Sequence, residues 1–323
     1  MGEVTVLRAG LLTTVQDLGR AERRREGVSV GGALDLFATR IANLVVGNPE
    51  GAALLEITLD GLRLRFDDDR RLAWCGGAFP ARIAEEEFPA GRVGLVRQGE
   101  ELEFASTKRG ARAWIAIEGG IDVPLVLGSR STDIRSGFGG LKGRALRDGD
   151  RLSLGDVTPG NADGPRFAAW SAPVEWTQTS MRAMVLRVLR GSEWDEFVRE
   201  AQTGLLTQLF TVSEKADRMG ARLEGAALRR TNQWELASEA VAPGAVQVAH
   251  DGQPIVLLGD CQTIGGYPKI AHVITVDLPR AAQLRPNDTV RFREVTTAEA
   301  STLFAERDKH LQRFRAGLSL RAA

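Results

Sequence analysis

LRPNDTVRF, residues 284–292, has the form apolar, Arg, x, Gly or Asn, acidic, x, apolar, x, apolar. Two earlier stretches share it: VRQGEELEF (96–104) and LRDGDRLSL (146–154). Physically each is a turn feeding a half-buried strand, because a turn residue and an acid precede strict apolar alternation. A Gly-Gly pair stands upstream of two copies, Gly139-Gly140 and Gly265-Gly266. The repetition predicts two related β-barrel-like halves.

The rest of the chain reads the same way. VTVLR (4–8), LRLRF (62–66), RAWIAI (112–117), RLSL (151–154), AMVLRVL (183–189), PIVLL (254–258), AHVITV (271–276) and TVRF (289–292) read as strands by period-two alternation or β-branched content. The 36 glycines suit a turn-rich β protein. Helices are few. One is predicted over Leu36–Val46, capped by Asp35 and ended by Gly47 and Pro49. Ser192-Glu193-Trp194-Asp195 resembles a capping box opening a second. Thr296-x-x-Glu299 opens a third, with Ala300, Leu303, Phe304, Leu311 and Phe314 on one stripe. The stretch TPGNADGPRFAAWSAP (158–173) is the best linker, so the expected domains are 1–160 and 161–323, with strands or the terminal helix free to cross between them.

Composition excludes several classes. The 323 residues suffice for two ordinary domains, and 42 Lys plus Arg balance 42 Asp plus Glu. That balance suggests neither nucleic acid nor a membrane surface as partner. Two cysteines without CxxC spacing and three histidines give no zinc site and no disulfide framework, so no metal is expected. No signal peptide or membrane-length apolar run is visible, which predicts a cytoplasmic protein. The six tryptophans are scattered and read as core or interface.

Four stretches turn polar and glycine-bearing where a strand pattern stops: LLTTVQDLGR (11–20) with GVSVGGALD (27–35), GSRSTDIRSGFGGLKGRAL (128–146), SEKADRMGARLEG (213–225) and GDCQTIGGYPK (259–269). The second sets Arg130, Arg135, Lys142 and Arg144 among hydroxyls and glycines. It reads as an anion site built from guanidinium forks and backbone N–H groups, or equally as a solvated loop. No GxxxxGK[ST] loop is present. The fourth shows Asp260, Gln262, Thr263, Tyr267 and Lys269 together just after a buried strand. Lys269 and Tyr267 offer a cation and a phenol to a carbonyl or carboxylate, Asp260 can act as a base or hold Lys269 in place, and Gln262 and Thr263 are neutral donors. Cys261 reads as a small loop residue, since His250 and His272 lie in other segments.

These motifs, with VAPGAVQV (241–248), closely resemble the biotin-dependent carboxyltransferase-like family, also called allophanate hydrolase subunit 2-like or KipA-like, from about residue 4 to residue 293. The family includes the C-type component of 5-oxoprolinase and the carboxyltransferase domain of urea carboxylase. The resemblance implies a mainly β fold with a few helices, in two cyclophilin-like β-barrel domains. It implies ATP-dependent opening of 5-oxoproline to L-glutamate beside two other proteins. One is an allophanate hydrolase subunit 1-like cyclophilin-fold partner, the B-type component of 5-oxoprolinase, and the other is a larger LamB/YcsF-type component. The alternatives are a carboxyltransferase component using biotin on a separate carrier, and a non-catalytic regulator binding a KipI-like kinase inhibitor. The QTTGGYPK-type motif falls on Gln262 to Lys269, with Ile264 in place of a Thr and Cys261 before it in place of Arg or a small residue. The TTVQD motif falls on Thr13 to Asp17, and the SDRMG-type motif on Ala216 to Gly220, with Ala216 at the Ser position. The implied catalytic residues are Lys269, Tyr267 and Asp260. The implied substrate-binding residues are Gln262, Thr263, Gly265, Gly266, Arg130, Arg135, Gln16 and Asp17.

Overall fold

All three copies of the nine-residue repeat fold alike in the computed structural model, which describes residues 2–157, 164–177, 184–232 and 237–322. The N–H of Arg97 donates to Glu100 Oε2 at 2.8 Å, that of Arg147 to Asp150 Oδ2 at 2.7 Å, and that of Arg285 to Asp288 Oδ2 at 2.8 Å. Each acid returns its own N–H to the arginine carbonyl, at 2.9, 3.1 and 3.1 Å. The residue before the acid takes a left-handed backbone: Gly99 (φ 82°), Gly149 (φ 85°) and Asn287 (φ 70°). Only Gly, and less readily Asn or Asp, takes this conformation cheaply, which explains the pattern at that position. Each turn then feeds a strand: Glu101–Phe104, Arg151–Ser153 or Thr289–Glu294.

The chain divides into two compact units, Met1–Arg20 with Gly31–Ser180, and Ala21–Val30 with Met181–Ala323. The first holds two six-stranded sheets. One runs in the order Arg151–Ser153, Glu3–Arg8, Arg63–Phe66, Glu101–Phe104, Ala81–Ile83, Glu86–Glu87. The other runs Phe167–Ser171, Arg92–Val96, Arg70–Gly76, Arg112–Ile117, Leu54–Thr58, Leu12–Gln16. Val6, Leu64, Phe66, Leu102 and Phe104 of the one share a single core with Leu55, Ile57, Trp74 and Ile115 of the other. Alternation places these residues inward, and their burial drives the two sheets together.

The second unit is a closed seven-stranded barrel: Met184–Arg190, Lys269–Val273, Ala245–Val248, Pro254–Leu257, Gly220–Glu224, Phe210–Val212, Thr289–Glu294. The last strand closes on the first in parallel, Met184 opposite Val290. Leu186, Val188, Phe210, Val212, Val246, Val256 and Phe292 are buried in this unit. Closure leaves the barrel strands without free edges. The expected mainly β chain with few helices is what the structure shows.

The first helix matches its sequence signals. Leu36–Val46 begins at Asp35, whose Oδ1 accepts the Ala38 N–H at 2.8 Å, and ends at Gly47 with φ 86°. The second reading needs correction. Ser192 caps nothing: a short 3-10 turn, Trp194–Glu196, stands there without a side-chain cap, and the helix itself is Arg199–Thr207. The last helix, Thr297–Ala322, does start at Thr296, whose Oγ1 accepts the Glu299 N–H at 3.1 Å. Its apolar stripe is the less exposed face, with Leu311 buried and Ala300, Leu303 and Phe314 half-buried, while Phe304 is 51% exposed. Of the 158–173 linker, residues 158–163 lie outside the described residues. Phe167–Ser171 is a strand on Arg92–Val96, and Phe167 stacks on Phe88 with ring centroids 5.8 Å apart. Trp74, Trp114 and Trp194 are buried, Trp170 and Trp176 partly so, and Trp234 lies outside the described residues.

Candidate active site

Two of the four polar stretches meet in the second unit. In the 213–225 stretch, Asp217 Oδ1 accepts the N–H groups of Met219 and Gly220 at 2.8 and 3.1 Å, making a tight turn. That turn carries Arg218 to the loop after Leu257. Its guanidinium binds both oxygens of Asp260, at 2.8 and 3.0 Å, and its carbonyl accepts the Asp260 N–H at 3.1 Å. Asp260 was expected to serve Lys269 or act as a base. Instead both its oxygens are committed to a buried arginine, a fork-on-fork pair that holds the start of the loop.

Lys269 opens the strand Lys269–Val273. The ladder with Ala245–Val248 slips by one residue here, so Lys269 rather than Ile270 faces Gln247. A bulge of this kind re-aims a side chain. The Lys269 Nζ donates to Glu239 Oε2 at 2.6 Å and lies 3.6 Å from Glu193 Oε1. Glu193 also accepts the Lys269 backbone N–H, on Oε2 at 2.7 Å. Gly191 lets this segment lie so close: a Cβ there would stand 1.9 Å from the Lys269 carbonyl oxygen. Burial opposes the ammonium, but the Glu239 hydrogen bond and the Glu193 charge outweigh it and hold the Lys269 pKa above its ordinary value. At neutral pH Lys269 is therefore held as a cation, unfit there as a base or nucleophile.

The loop's other side is different. Gln262, Gly266, Tyr267 and Pro268 line an open groove of 1150 Å³ with His250 and Asn232; Lys269 does not line it. The Tyr267 ring meets His250 edge to face at 5.2 Å, and the Tyr267 carbonyl accepts Gln247 Nε2 at 2.9 Å. The Thr263 carbonyl accepts the Val241 N–H at 3.0 Å. Gly265 pairs with Glu239 across a two-stranded ladder, Glu239–Ala240 on Ile264–Gly265. A Cβ on Gly265 would stand 2.9 Å from Gln262 Nε2. Lys269 and Tyr267, expected to serve one carbonyl or carboxylate, therefore do not share that groove.

The remaining predicted residues belong to the first unit. Asp17 is 7% exposed and saturated: it accepts Ser129 Oγ and Ser131 Oγ, both at 2.5 Å, the Arg130 N–H at 2.6 Å and the Gly19 N–H at 2.8 Å. Gln16 is fully buried and donates to Thr14 Oγ1 and the Thr132 carbonyl at 3.0 and 3.3 Å. Arg130 reaches Asp122 at 3.2 Å, and Arg135 is exposed. Arg144 forks onto Asp150 at 2.7 and 2.8 Å. Gly139 and Gly140 serve close packing, since a Cβ would meet the Ser131 carbonyl at 2.1 Å and Thr132 Oγ1 at 1.9 Å. Asp17 therefore organises this segment from within.

Residues 26–294 match the carboxyltransferase domain, subdomains A and B. The chain belongs to that family. The C-type component of 5-oxoprolinase from Escherichia coli is 41% identical over 297 residues, covering 91% of this chain and 92% of that protein. Its counterpart in Haemophilus influenzae is 36% identical over 302 residues, covering 94% of each. The crystal structure of the K. lactis urea amidolyase aligns with a TM-score of 0.89 at 30% identity, over 97% of this chain and 20% of that one.

On this carboxyltransferase-family barrel, Glu193, Glu239 and Arg218 are the polar residues that the sequence reading left out of the site. Their only signal was an acid or a base inside a glycine-flanked stretch; nothing local names their partners. His272 lies on the same strand as Lys269, and burial, then the Lys269 charge, push its pKa down against the pull of Glu193. Burial pushes the Cys261 thiol up to about 11, which makes it a poor nucleophile. Among the described residues no cluster of potential metal ligands is present, and no helix is long and apolar enough to cross a membrane.

Proposed function

We propose that this chain is the C-type component of an ATP-dependent 5-oxoprolinase, opening the 5-oxoproline lactam to L-glutamate beside a B-type cyclophilin-fold partner and a LamB/YcsF-type component. One observation carries the reading: the match to the Escherichia coli 5-oxoprolinase component covers 91% of this chain and 92% of the relative, nearly the full length on both sides. By contrast the chain spans only 20% of the urea amidolyase.

The lactam is a stable amide, so hydrolysis requires its carbonyl to be activated. In this reading Lys269 supplies a fixed positive charge to the oxygen on which negative charge develops, or to the carboxylate of 5-oxoproline. Its raised pKa supports an electrostatic role rather than proton abstraction. Tyr267, Gln262 and Asn232 line the separate groove, which Lys269 does not line, and are given no contact with the oxygen that Lys269 serves. Arg218 and Asp260 act indirectly, by holding the loop.

ATP supplies activation as a phosphoryl donor, but the glycine-rich 128–146 segment does not fit its phosphates. Gly139 and Gly140 pack against backbone and side chain, and the Arg144 guanidinium forks onto Asp150. No step is therefore assigned to ATP on this chain, and the proposal puts its site on a partner protein.

The test is 5-oxoproline-dependent ATP hydrolysis by this chain mixed with the two other components, each omitted in turn. Glutamate formed only in the full mixture supports the reading; a well-folded complex that forms none sinks it. The structural likeness to urea amidolyase favours a second reading, carboxyl transfer from biotin on a separate carrier. Avidin sensitivity of the reconstituted activity separates the two.

A further inference from the structure

Two carboxylates surround one ammonium at Lys269, so the cluster carries a net negative charge and repels the anion that the proposed function asks it to bind. The two glutamates are held very differently. The Glu193 side chain is 9% exposed and is fixed twice, on the Lys269 N–H at 2.7 Å and near Nζ at 3.6 Å. The Glu239 side chain is 59% exposed and touches Nζ at 2.6 Å. Its backbone is anchored: Glu239 pairs with Gly265, and the next residue but one, Val241, is buried and donates its N–H to the Thr263 carbonyl at 3.0 Å. Only the long side chain has to rotate, in water, to free the ammonium.

An exposed ion-pair partner is cheap to remove, whereas a buried one is not. We infer that Glu239 is a displaceable internal counterion, occupying on Lys269 the place taken by a carboxylate or phosphoryl-type oxyanion of the substrate, while Glu193 stays bound and positions the lysine. The inference rests on the anion-binding role given to Lys269 under the proposed function. After exchange the substrate anion replaces the Glu239 anion, so no additional charge is buried. Glu239 then sets specificity: a neutral ligand has no means of displacing it, and an anion must outcompete it.

The affinity for the anion is reduced by the fraction of chains in which Glu239 occupies Lys269, which follows from simple competition. Removing Glu239 therefore lowers the KM for 5-oxoproline in the reconstituted enzyme. The expected change is roughly two- to fivefold, the upper range of an exposed ion pair.

The experiment measures kcat and KM for 5-oxoproline in the complete complex with wild-type chain and with Glu239→Ala, Glu239→Asp, Glu193→Gln and Lys269→Met. Expected are a lower KM with Ala and a return toward the wild-type KM with Asp. Glu193→Gln loses activity through kcat or KM without gaining affinity. An unchanged or raised KM in Glu239→Ala overturns the inference while leaving Lys269 as the anion site. Full activity in Lys269→Met overturns the role of Lys269 itself, and the inference falls with it. Because unfolding also silences Lys269→Met, its unfolding midpoint is read alongside, with Lys269→Arg as the charge-keeping control: a folded Lys269→Met without turnover supports the site, and recovery with Arg shows that the charge is what matters.

Discussion

Arg218 grips both oxygens of Asp260 across 42 residues of chain, Nε to Oδ2 at 2.8 Å and Nη2 to Oδ1 at 3.0 Å, with the arginine side chain 6% exposed. The pair ties the 213–225 turn to the loop that ends at Lys269. Losing either partner leaves the other charge unpaired, with Arg218 buried and Asp260 half-buried. Arg218→Ala and Asp260→Ala are each expected to cost about 2 kcal/mol of stability. The double variant should cost little more than either single one, since both break the same contact. Urea unfolding of the four proteins checks this; strictly additive losses would show the pair to be uncoupled.

Asp17 accepts four hydrogen bonds from Gly19, Ser129, Arg130 and Ser131. Asp17→Ala strands these buried donors and should destabilise the first unit by about 3 kcal/mol. Asp17→Asn keeps one acceptor oxygen and should cost less. Hydrogen exchange of the Ser129–Thr132 amides reads the effect locally, and unchanged protection in Asp17→Ala would refute an organising role.

Two groups on one strand give opposite pH responses. The Lys269 pKa is raised above its ordinary 10.5, so the stability it contributes is complete below pH 10.5 and is lost as pH rises through the folded value. The His272 pKa is lowered below 6.5, so the unfolded chain binds the extra proton first and stability falls as pH drops below 6.5 toward the folded value. Lys269→Met should remove part of the alkaline loss, and His272→Gln part of the acid loss. Unfolding midpoints across a pH range of roughly 5 to 11 show whether each slope disappears with its residue.

Both thiols are free and buried, and burial raises the pKa of each, Cys261 to about 11. At neutral pH neither should react with a thiol-specific disulfide reagent in the native protein. Both should react once it is unfolded in guanidinium. A rapid reaction of one equivalent in the native state would contradict the burial of Cys261.

Legibility from sequence followed the range of the forces. Each repeat turn is closed within four residues by an arginine N–H, an acid and a left-handed Gly or Asn, so its pattern was visible at 96–104, 146–154 and 284–292. The helix Leu36–Val46 carries its own cap at each end and was visible for the same reason. The capping box at Ser192 failed because the chain there makes only one 3-10 turn, Trp194–Glu196, and the helix starts later, at Arg199. The terminal stripe was legible because periodicity marks one face of a helix, though it did not show that Phe304 on that face stays exposed.

The sequence by itself determined a strand-rich chain, its repeated turns, its best-capped helix and the loop on which Lys269, Tyr267 and Asp260 appear. Only the tertiary structure decided their partners. Lys269 meets Glu239 across 30 residues and Glu193 across 76, while Asp260 meets Arg218 across 42. Those pairings depend on which strands neighbour each other in the closed barrel and on a one-residue slip in one ladder. Local propensity carries no information about either, because both are set by burial of the whole apolar core.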